Sequence, residues 1–255
     1  MFMPHRKPVT VPGMDFDTLW HHPGEWFEAP NVYRQGWSGV SRTPLGPADG
    51  NRPLYAFLKR QHNFMRRTWR HPWHGVSTFY CEYHHLLRLL KLGVPVPAPL
   101  FFSEKKEGRN VSAILVTAEL VGFTPLDQLA ADIFKADVSI TRQRKLAASV
   151  ADAVSKFHST RLQHRALYPK HILVKETPSG NFDMALIDLE KARIRLFPLL
   201  RTLQDLATLN RELMHLSRTT RLYFLKRYYG VHKLDTALKW IARLIQDRTR
   251  RKAKT

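Results

Sequence analysis

The fold is decided by the stretch His164-Arg165-Ala166-Leu167-Tyr168-Pro169-Lys170-His171, which is followed by two apolar runs, Ile172-Leu173-Val174 and Met184-Ala185-Leu186-Ile187. The turn signal Pro178-Ser179-Gly180-Asn181 separates the runs, so they are predicted to pair as a hairpin. Asp188 comes directly after the second strand. A carboxylate at a strand end is well placed to hold Mg²⁺, because hard cations prefer oxygen ligands. The alternative is that Asp188 caps a turn.

The segments around this hairpin predict an α+β protein. Apolar residues recur at helical spacing over residues 77–92 and 141–160, and residues 202–252 also read as helical. Strand-like stretches lie between residues 31 and 60, and again over residues 112–119. This order indicates a small β-rich N-lobe and a mainly helical C-lobe. We divide the chain into an irregular segment (1–30), the N-lobe (31–119), the C-lobe (120–240) and a basic tail (241–255).

Two charged residues fall on faces that are otherwise apolar. Lys59 shares a strand face with Tyr55 and Phe57, and Glu82 shares a helix face with Phe79. A carboxylate on an apolar face is costly unless it is paired, so the two residues are predicted to satisfy each other. The alternative, which the two residues taken alone favour equally, is a pair of unrelated surface charges.

The amino-acid composition indicates which classes of binding partner and which cellular compartment suit this protein. The 255 residues are 44% hydrophobic and carry 41 Lys and Arg against 21 Asp and Glu, a formal net charge of +20. Such a surface attracts nucleic acid, anionic membrane or phosphorylated sugars. The single cysteine, Cys81, excludes an internal disulfide and suits a reducing cytosol. No apolar run has the length of a signal peptide or of a spanning helix, so we expect a soluble or peripheral protein.

Two basic segments could contact an anionic surface. The stretch 66–74 mixes arginines with Trp69 and Trp73, and the run 248–254 is rich in Arg and Lys. Arginine pairs with phosphate and tryptophan favours the bilayer interface, although solvated charge is the alternative for both segments. Zinc-finger spacing, an RNA-recognition signature and a clear helix-turn-helix are all missing from the sequence. Nucleic-acid binding through bulk charge is therefore the least favoured alternative.

The joint order of these features resembles the protein-kinase signature: Gly36-x-x-Gly39, Lys59, Glu82, the 164–171 loop and Asp188. The loop and the stretch 187–195 are more narrowly similar to the lipopolysaccharide kinase family, which includes WaaP heptose kinases and InaA-type proteins. The segments 55–59, 205–206 and 224–230 are similar to members of the same family. The resemblance covers roughly residues 30–230.

The resemblance implies ATP- and Mg²⁺-dependent phosphorylation of an inner-core sugar of lipopolysaccharide at the inner face of the cytoplasmic membrane. It implies that the partners are the core glycolipid and the anionic membrane surface. The nucleotide-contacting residues that it implies are Lys59 on the phosphates, Glu82 orienting Lys59, Gly36 and Gly39 covering the phosphates, and a hinge from Glu119 to Val121 facing adenine. Asp188 would hold Mg²⁺, and His171 stands where protein kinases place a metal-binding asparagine.

One position departs from the family pattern. Ala166 stands where a His-Arg-Asp loop places the aspartate that accepts the proton of the attacking hydroxyl. Phosphoryl transfer depends mostly on positioning and electrostatics, so loss of this base need not abolish it. His164, His171 and Glu190 are the candidate substitutes. The alternative is a pseudokinase that has kept the fold and acts as a regulator or binding protein.

Overall fold

The computed structural model describes residues 14–33, 36–44, 55–68, 70–135 and 137–252. The chain divides into two compact units. The first unit runs to Arg88 and resumes over Pro97–Leu120, and the second unit comprises Leu89–Val96 and the chain from Val121 onward. The first unit is rich in strands and the second is mainly helical, so the predicted α+β class is confirmed.

A twisted antiparallel sheet forms the body of the first unit. Its elements are α1 (Phe16–Trp20), β1 (Trp26–Tyr33), β2 (Gly36–Pro44), β3 (Tyr55–His62), β4 (Met65–Thr68), β5 (His71–Ser77), α2 (Thr78–Lys91, whose last turn belongs to the second unit), β6 (Pro99–Glu107) and β7 (Asn110–Ala118). Among the described residues, five strands pair in the order β1-β2-β3-β7-β6, and β4 and β5 form a separate hairpin. This arrangement puts β3, which carries Lys59, at the centre of the sheet.

The sheet buries one face under α1. The apolar cluster there is formed by Leu19, Ala56, Leu58, Phe101, Ile114 and Val116. Side chains alternate along a strand, so Lys59 points to the opposite face from Leu58. Helix α2 begins where predicted, since the Ser77 hydroxyl accepts the Tyr80 N–H at 2.9 Å. It ends before Gly93, whose φ of +67° suits a residue without a side chain.

The second unit contains the predicted hairpin. Its elements are β8 (Thr124–Pro125), α3 (Leu126–Ile133), α4 (Ile140–Ser159), β9 (Leu162–Gln163), a 3₁₀ turn (Pro169–His171), β10 (Ile172–Glu176), β11 (Phe182–Leu186), β12 (Arg193–Ile194), α5 (Pro198–Glu212), α6 (Arg218–Tyr228) and α7 (Thr236–Lys252). Strands β10 and β11 are antiparallel, with Ile172 opposite Leu186. Among the described residues, no helix combines the length and apolar content needed to span a bilayer.

Two terminal segments differ from the prediction. Residues 14–30 are not irregular: α1 is capped by Asp15, whose carboxylate accepts the Thr18 N–H at 2.9 Å, and β1 follows it. A helix of five residues is too short to leave a periodic pattern. The predicted basic tail is part of α7 as far as residue 252. Ile245 and Thr249 are buried one turn apart on this helix, so this segment packs against the rest of the unit. Residues 1–13, 69 and 253–255 lie outside the described residues.

Candidate active site

The predicted pairing of Lys59 with Glu82 is present in the first unit. The Lys59 Nζ lies 2.6 Å from Glu82 Oε1. The Glu82 side chain is 3% exposed and the Lys59 side chain 16%, so the carboxylate is enclosed and the lysine is only partly exposed. The second carboxylate oxygen, Glu82 Oε2, is buried without a hydrogen-bond partner among the described residues. The glutamate therefore fixes the position of the lysine ammonium.

Gly36 and Gly39 both lie on β2, and both are required by packing. A Cβ on Gly39 would lie 2.5 Å from the Trp26 ring. A Cβ on Gly36 would lie 2.7 Å from the Asn63 carbonyl oxygen. Gly36 begins β2 directly after the connection from β1. A role for these glycines over phosphate remains a prediction, and their close contacts within the sheet are reason enough for glycine.

The predicted hinge segment is held at both ends. Glu119 forms a bidentate pair with Arg42, with distances of 2.9 and 3.0 Å, and its N–H donates to the Tyr55 carbonyl. In the second unit, Val121 is exposed and its carbonyl accepts from Lys175 Nζ at 3.3 Å. The Glu119 N–H is therefore already used within the sheet, and contact of this segment with adenine stays a prediction.

The 164–171 loop is anchored by a buried aspartate of α5. One Asp205 oxygen accepts the His164 N–H at 2.6 Å, and the other accepts the Arg165 N–H at 2.8 Å. His158 Nε2 lies 3.0 Å from the same carboxylate. Asp205 is fully buried, so these three donors replace its hydration. Arg165 has a φ of +68°, a conformation that the anchored loop imposes on a residue other than glycine.

Asp205 stays ionised in this setting. Burial alone would raise its pKa, but the hydrogen bond and charge of His158, with the His164 interactions, outweigh burial and hold the pKa below its ordinary value. The network continues outward, because His158 Nδ1 lies 2.7 Å from the Tyr228 hydroxyl. Burial raises the pKa of Tyr228 to about 12, so this hydroxyl keeps its proton. The sequence analysis gave Asp205 no role. Its position among the buried residues of α5 between Thr202 and Leu209 was a signal that this carboxylate has buried partners.

The ring of His164 is fully buried. Its Nε2 lies 3.0 Å from the Ile187 carbonyl, which can only accept, so Nε2 carries the proton. Its Nδ1 is buried without a partner among the described residues. Burial lowers the pKa of His164, against the opposing influence of Asp205 and Asp188. The neutral ring therefore connects the loop to the residue that precedes Asp188.

This buried neutral histidine predicts a pH effect on stability. The unfolded chain binds a proton at His164 near its ordinary pKa of 6.5, whereas the folded chain does so only at lower pH. The stabilisation is thus fully present above pH 6.5 and is lost as the pH falls below it, by at most about 1.4 kcal/mol per pH unit. His164→Gln keeps an N–H donor for Ile187 but cannot titrate. Urea unfolding at about pH 7.5 and about pH 5.5 should show a smaller difference in this variant than in the parent. An unchanged difference would contradict the prediction.

His171 and Asp188 are brought together. His171 Nδ1 lies 2.8 Å from the Ala166 carbonyl and 3.3 Å from Asp188 Oδ2. A carbonyl only accepts, so Nδ1 carries a proton, and in the neutral ring Nε2 bears the lone pair. Nε2 makes no hydrogen bond to any residue within the described ranges. Asp188 has a φ of +60°, which aspartate and asparagine tolerate better than most residues.

Ala166 contributes only its backbone carbonyl to the hydrogen bonds of the loop. Its methyl group is buried, and its carbonyl accepts from Tyr168 N–H and from His171, both at 2.8 Å. Glu190, the third candidate substitute base, lies 3.7 Å from the Lys191 ammonium. The structure thus brings together His171, Asp188 and the Ala166 backbone, with His164 beneath them.

The donor set fits Mg²⁺ at Asp188 and not at His171 Nδ1. The Asp188 side chain is 29% exposed, and one of its oxygens faces His171, so the other can accept a cation. Over the described ranges, no cluster of three or more His, Cys, Asp or Glu side chains could hold a metal ion. Mg²⁺ commonly takes one or two carboxylates and fills its remaining positions with water and substrate phosphates, so a single aspartate suffices. A role for His171 in holding the metal stays a prediction, and its Nδ1 already lies 2.8 Å from the Ala166 carbonyl.

The fold and these residues define a protein-kinase-like protein. A solved structure described as WaaP in complex with acyl carrier protein has a TM-score of 0.70 with this chain, at 23% identity, and covers 93% of this chain and 91% of its own. That likeness concerns the fold, and it confirms the kinase-like prediction.

The family follows from the sequence comparison. Residues 17–229 match the model of the lipopolysaccharide kinase (Kdo/WaaP) family, and the chain belongs to this family. Protein InaA of Escherichia coli K12 is 32% identical over 182 residues, which are 71% of this chain and 80% of InaA. The lipopolysaccharide core heptose(I) kinase WaaP of the same strain is 31% identical over 159 residues, 59% of each chain. The predicted resemblance to this family is therefore confirmed.

Proposed function

We propose that the protein is an ATP- and Mg²⁺-dependent kinase that phosphorylates an inner-core sugar of lipopolysaccharide or a related envelope glycolipid. The observation that carries the proposal is the enclosed Lys59–Glu82 pair, with 2.6 Å between Nζ and Oε1. A buried carboxylate that serves only to fix a partly exposed lysine has a clear use where that lysine meets the phosphates of a nucleotide. The family, with its WaaP relative, supports the acceptor class.

Each residue then has a defined part in transfer. Lys59 binds nucleotide phosphate, and Glu82 keeps Lys59 in place. Asp188 would hold Mg²⁺, which supplies neutralisation of the charge on the transferring phosphoryl group. Asp205 and His164 position the loop and the backbone beside Asp188, so we assign His164 to positioning instead of proton transfer.

We assign His171 as the substitute for the missing loop aspartate. Its Nδ1–H donates to the Ala166 carbonyl and faces Asp188, which fixes the ring and its tautomer. The basic Nε2 is thereby left to accept the proton of the sugar hydroxyl as the oxygen attacks phosphorus. A base oriented in this way needs no carboxylate at position 166.

His171→Ala should lower kcat by roughly a hundredfold to ten-thousandfold, the usual range for a lost general base. The affinity for MgATP should change little, because neither Lys59 nor Asp188 is removed. Adding Ala166→Asp to the His171→Ala variant should restore part of kcat by returning a carboxylate to the loop. Full activity of His171→Ala in a transfer assay would exclude this assignment.

The nucleotide site can be tested without knowing the acceptor. Titration calorimetry of the purified protein should detect ATP binding that requires Mg²⁺ and that Lys59→Ala and Asp188→Ala both weaken. Lys106→Ala, which removes an exposed lysine of β6, is the matched control and should bind like the parent. Absence of binding at millimolar ATP would count against an autonomous kinase.

The acceptor and its membrane are the proposed partners. The β4–β5 hairpin carries Arg66, Arg67, Arg70 and Trp73, whose side chain is 83% exposed. Guanidinium groups bind phosphate well, so this hairpin is suited to the phosphorylated core of the glycolipid. We place the protein in the cytoplasm, peripheral on the inner face of the cytoplasmic membrane where such a glycolipid is assembled.

A pseudokinase is the second candidate function, and Ala166 is the observation that favours it. In that case the nucleotide or glycolipid site regulates a partner and no phosphoryl group is transferred. MgATP binding would be retained, whereas product would not form under any condition. Phosphorylated core sugar made by the purified protein would exclude this alternative.

A further inference from the structure

An apolar run projects into solvent at the start of α5. Residues 193–201 read Arg-Ile-Arg-Leu-Phe-Pro-Leu-Leu-Arg. Leu196 and Phe197 are 66% and 69% exposed, and Ile194, Leu199 and Leu200 are exposed as well. Single exposed apolar residues are ordinary, but five within seven positions form a contiguous surface that usually has a partner. We name residues 194–200 the apolar loop.

Strand pairing and hydrogen bonds fix both ends of the apolar loop. On one side, Ile194 pairs with Leu162 through β12 and β9, and the Arg195 N–H donates to the Arg161 carbonyl at 2.9 Å. On the other side, Arg201 is buried and its guanidinium donates to the Arg195 carbonyl at 2.8 Å. These bonds hold the ends of the loop together, so its apolar side chains stand away from the core. The exposure is therefore part of the fold of this unit.

The charge near the loop is mostly positive, although Glu190 lies 3.7 Å from Lys191 and Arg201 is buried. Residues 191–204 include Lys191, Arg193, Arg195 and Arg201 and contain no Asp or Glu. Helix α5 also begins without an acidic residue in its first turn and without a side-chain cap. The positive end of the helix dipole adds to the surrounding cations. A partner must therefore be apolar where it meets Leu196 and Phe197, and anionic around them.

We propose that the apolar loop inserts into the interface of an anionic lipid bilayer, with Lys191, Arg193 and Arg195 near the phosphates of the headgroups. A bilayer offers the required combination, an acyl boundary beneath a negative surface. A second copy of this chain would present the same cations against these cations, which disfavours self-association through the loop. The biological use of this docking rests on the proposed function. A kinase that docks on the membrane would have its site near a membrane-held glycolipid.

A fluorescent label tests the insertion. Burial raises the pKa of the Cys81 thiol and removes it from solvent, so a new surface cysteine can be labelled selectively. We would label Leu196→Cys with an environment-sensitive dye and compare it with labelled Met214→Cys, an exposed site after α5. Vesicles of phosphatidylethanolamine and phosphatidylglycerol should shift the emission to the blue at position 196 only. Vesicles of pure phosphatidylcholine should give little shift.

Vesicle sedimentation tests the energetics. Leu196→Ser with Phe197→Ser should lower the partition coefficient onto the same anionic vesicles by at least about tenfold. Met214→Ser is the matched control and should bind like the parent. Both substituted residues are exposed in the folded chain, and serine is a favourable N-cap at position 197, so the unfolding temperature of the double variant should not fall. Unchanged partitioning of the double variant, no blue shift at position 196, or a loop-dependent dimer without vesicle binding would each overturn the proposal.

These vesicles contain no lipopolysaccharide, so docking and phosphoryl transfer can fail separately. If docking fails, transfer to a soluble, deacylated core oligosaccharide is unaffected. If the protein proves to be a pseudokinase, the vesicle results still decide the role of the apolar loop.

Discussion

Replacing Asp205 by alanine is expected to lower the free energy of unfolding by about 3–5 kcal/mol, one of the two largest effects we expect for a single substitution in this chain. The variant loses the acceptor of the His164 and Arg165 N–H groups and of His158. Each of these buried donors is then left without a partner, at a cost of about 1–3 kcal/mol apiece. The loop that carries His171 loses its anchor in the same step.

Denaturant unfolding measures this effect, with Asp183→Ala as the matched control. Asp183 lies exposed on β11 and has no comparable buried donors, so its replacement should change stability by less than about 0.5 kcal/mol. Asp205→Asn keeps one oxygen acceptor in the same space and should cost less than Asp205→Ala. Equal stability of Asp205→Ala and Asp183→Ala would show that the loop is not held in this way.

Asp188→Asn is expected to lower phosphoryl transfer by at least about a thousandfold while leaving the fold intact. The substitution removes only the charge. Asparagine tolerates the left-handed backbone at this position, where φ is +60°. The His171 Nδ1–H keeps its hydrogen bond to the Ala166 carbonyl. A loss of rate therefore reports the lost hold on Mg²⁺ and not a misplaced loop.

Two readouts separate these causes. The unfolding temperature of Asp188→Asn should match that of the parent, and raising Mg²⁺ should recover a part of the rate. Asp183→Asn, the control on the neighbouring strand, should transfer phosphate like the parent. Near-parental transfer by Asp188→Asn would remove Asp188 from the metal site.

Much of the fold could be predicted because its signals are local. Apolar runs separated by Pro178-Ser179-Gly180-Asn181 specify the β10–β11 hairpin wherever the rest of the chain lies. Helix α2 has both a start signal at Ser77 and an end signal at Gly93. The pairing of Lys59 with Glu82 could also be predicted. Each charged group lies on an otherwise apolar face, where it needs a partner of opposite charge.

Other features depend on partners that lie far apart in the chain. Asp205 is separated by about forty residues from the N–H groups that it accepts, and no spacing rule connects α5 with the loop. Arg42 and Glu119 meet only because β2 and β7 both pair with β3. The tautomers of His164 and His171 follow from nearby carbonyls, and these are placed by tertiary structure. Sequence reasoning therefore identified His171 and His164 as candidates without separating their roles.

We propose that His171 takes the place of the loop aspartate that is missing at position 166. Position 166 supplies a carbonyl that fixes the protonated nitrogen of His171, and Asp188 lies at the same nitrogen. In this proposal the proton acceptor lies at position 171 instead of position 166. Restoration by Ala166→Asp of activity lost in His171→Ala would support this exchange of roles.

The most direct measurement is transfer of phosphate from ATP to lipopolysaccharide core by the purified protein, read by mass spectrometry of the released oligosaccharide. The acceptor would be core from cells that lack this protein, with Asp188→Asn as the inactive control. The account predicts a gain of one phosphoryl group on an inner-core sugar that requires Mg²⁺ and is absent with Asp188→Asn. Binding of MgATP without any phosphorylated product, on intact or deacylated core, would contradict it and leave the pseudokinase as the function.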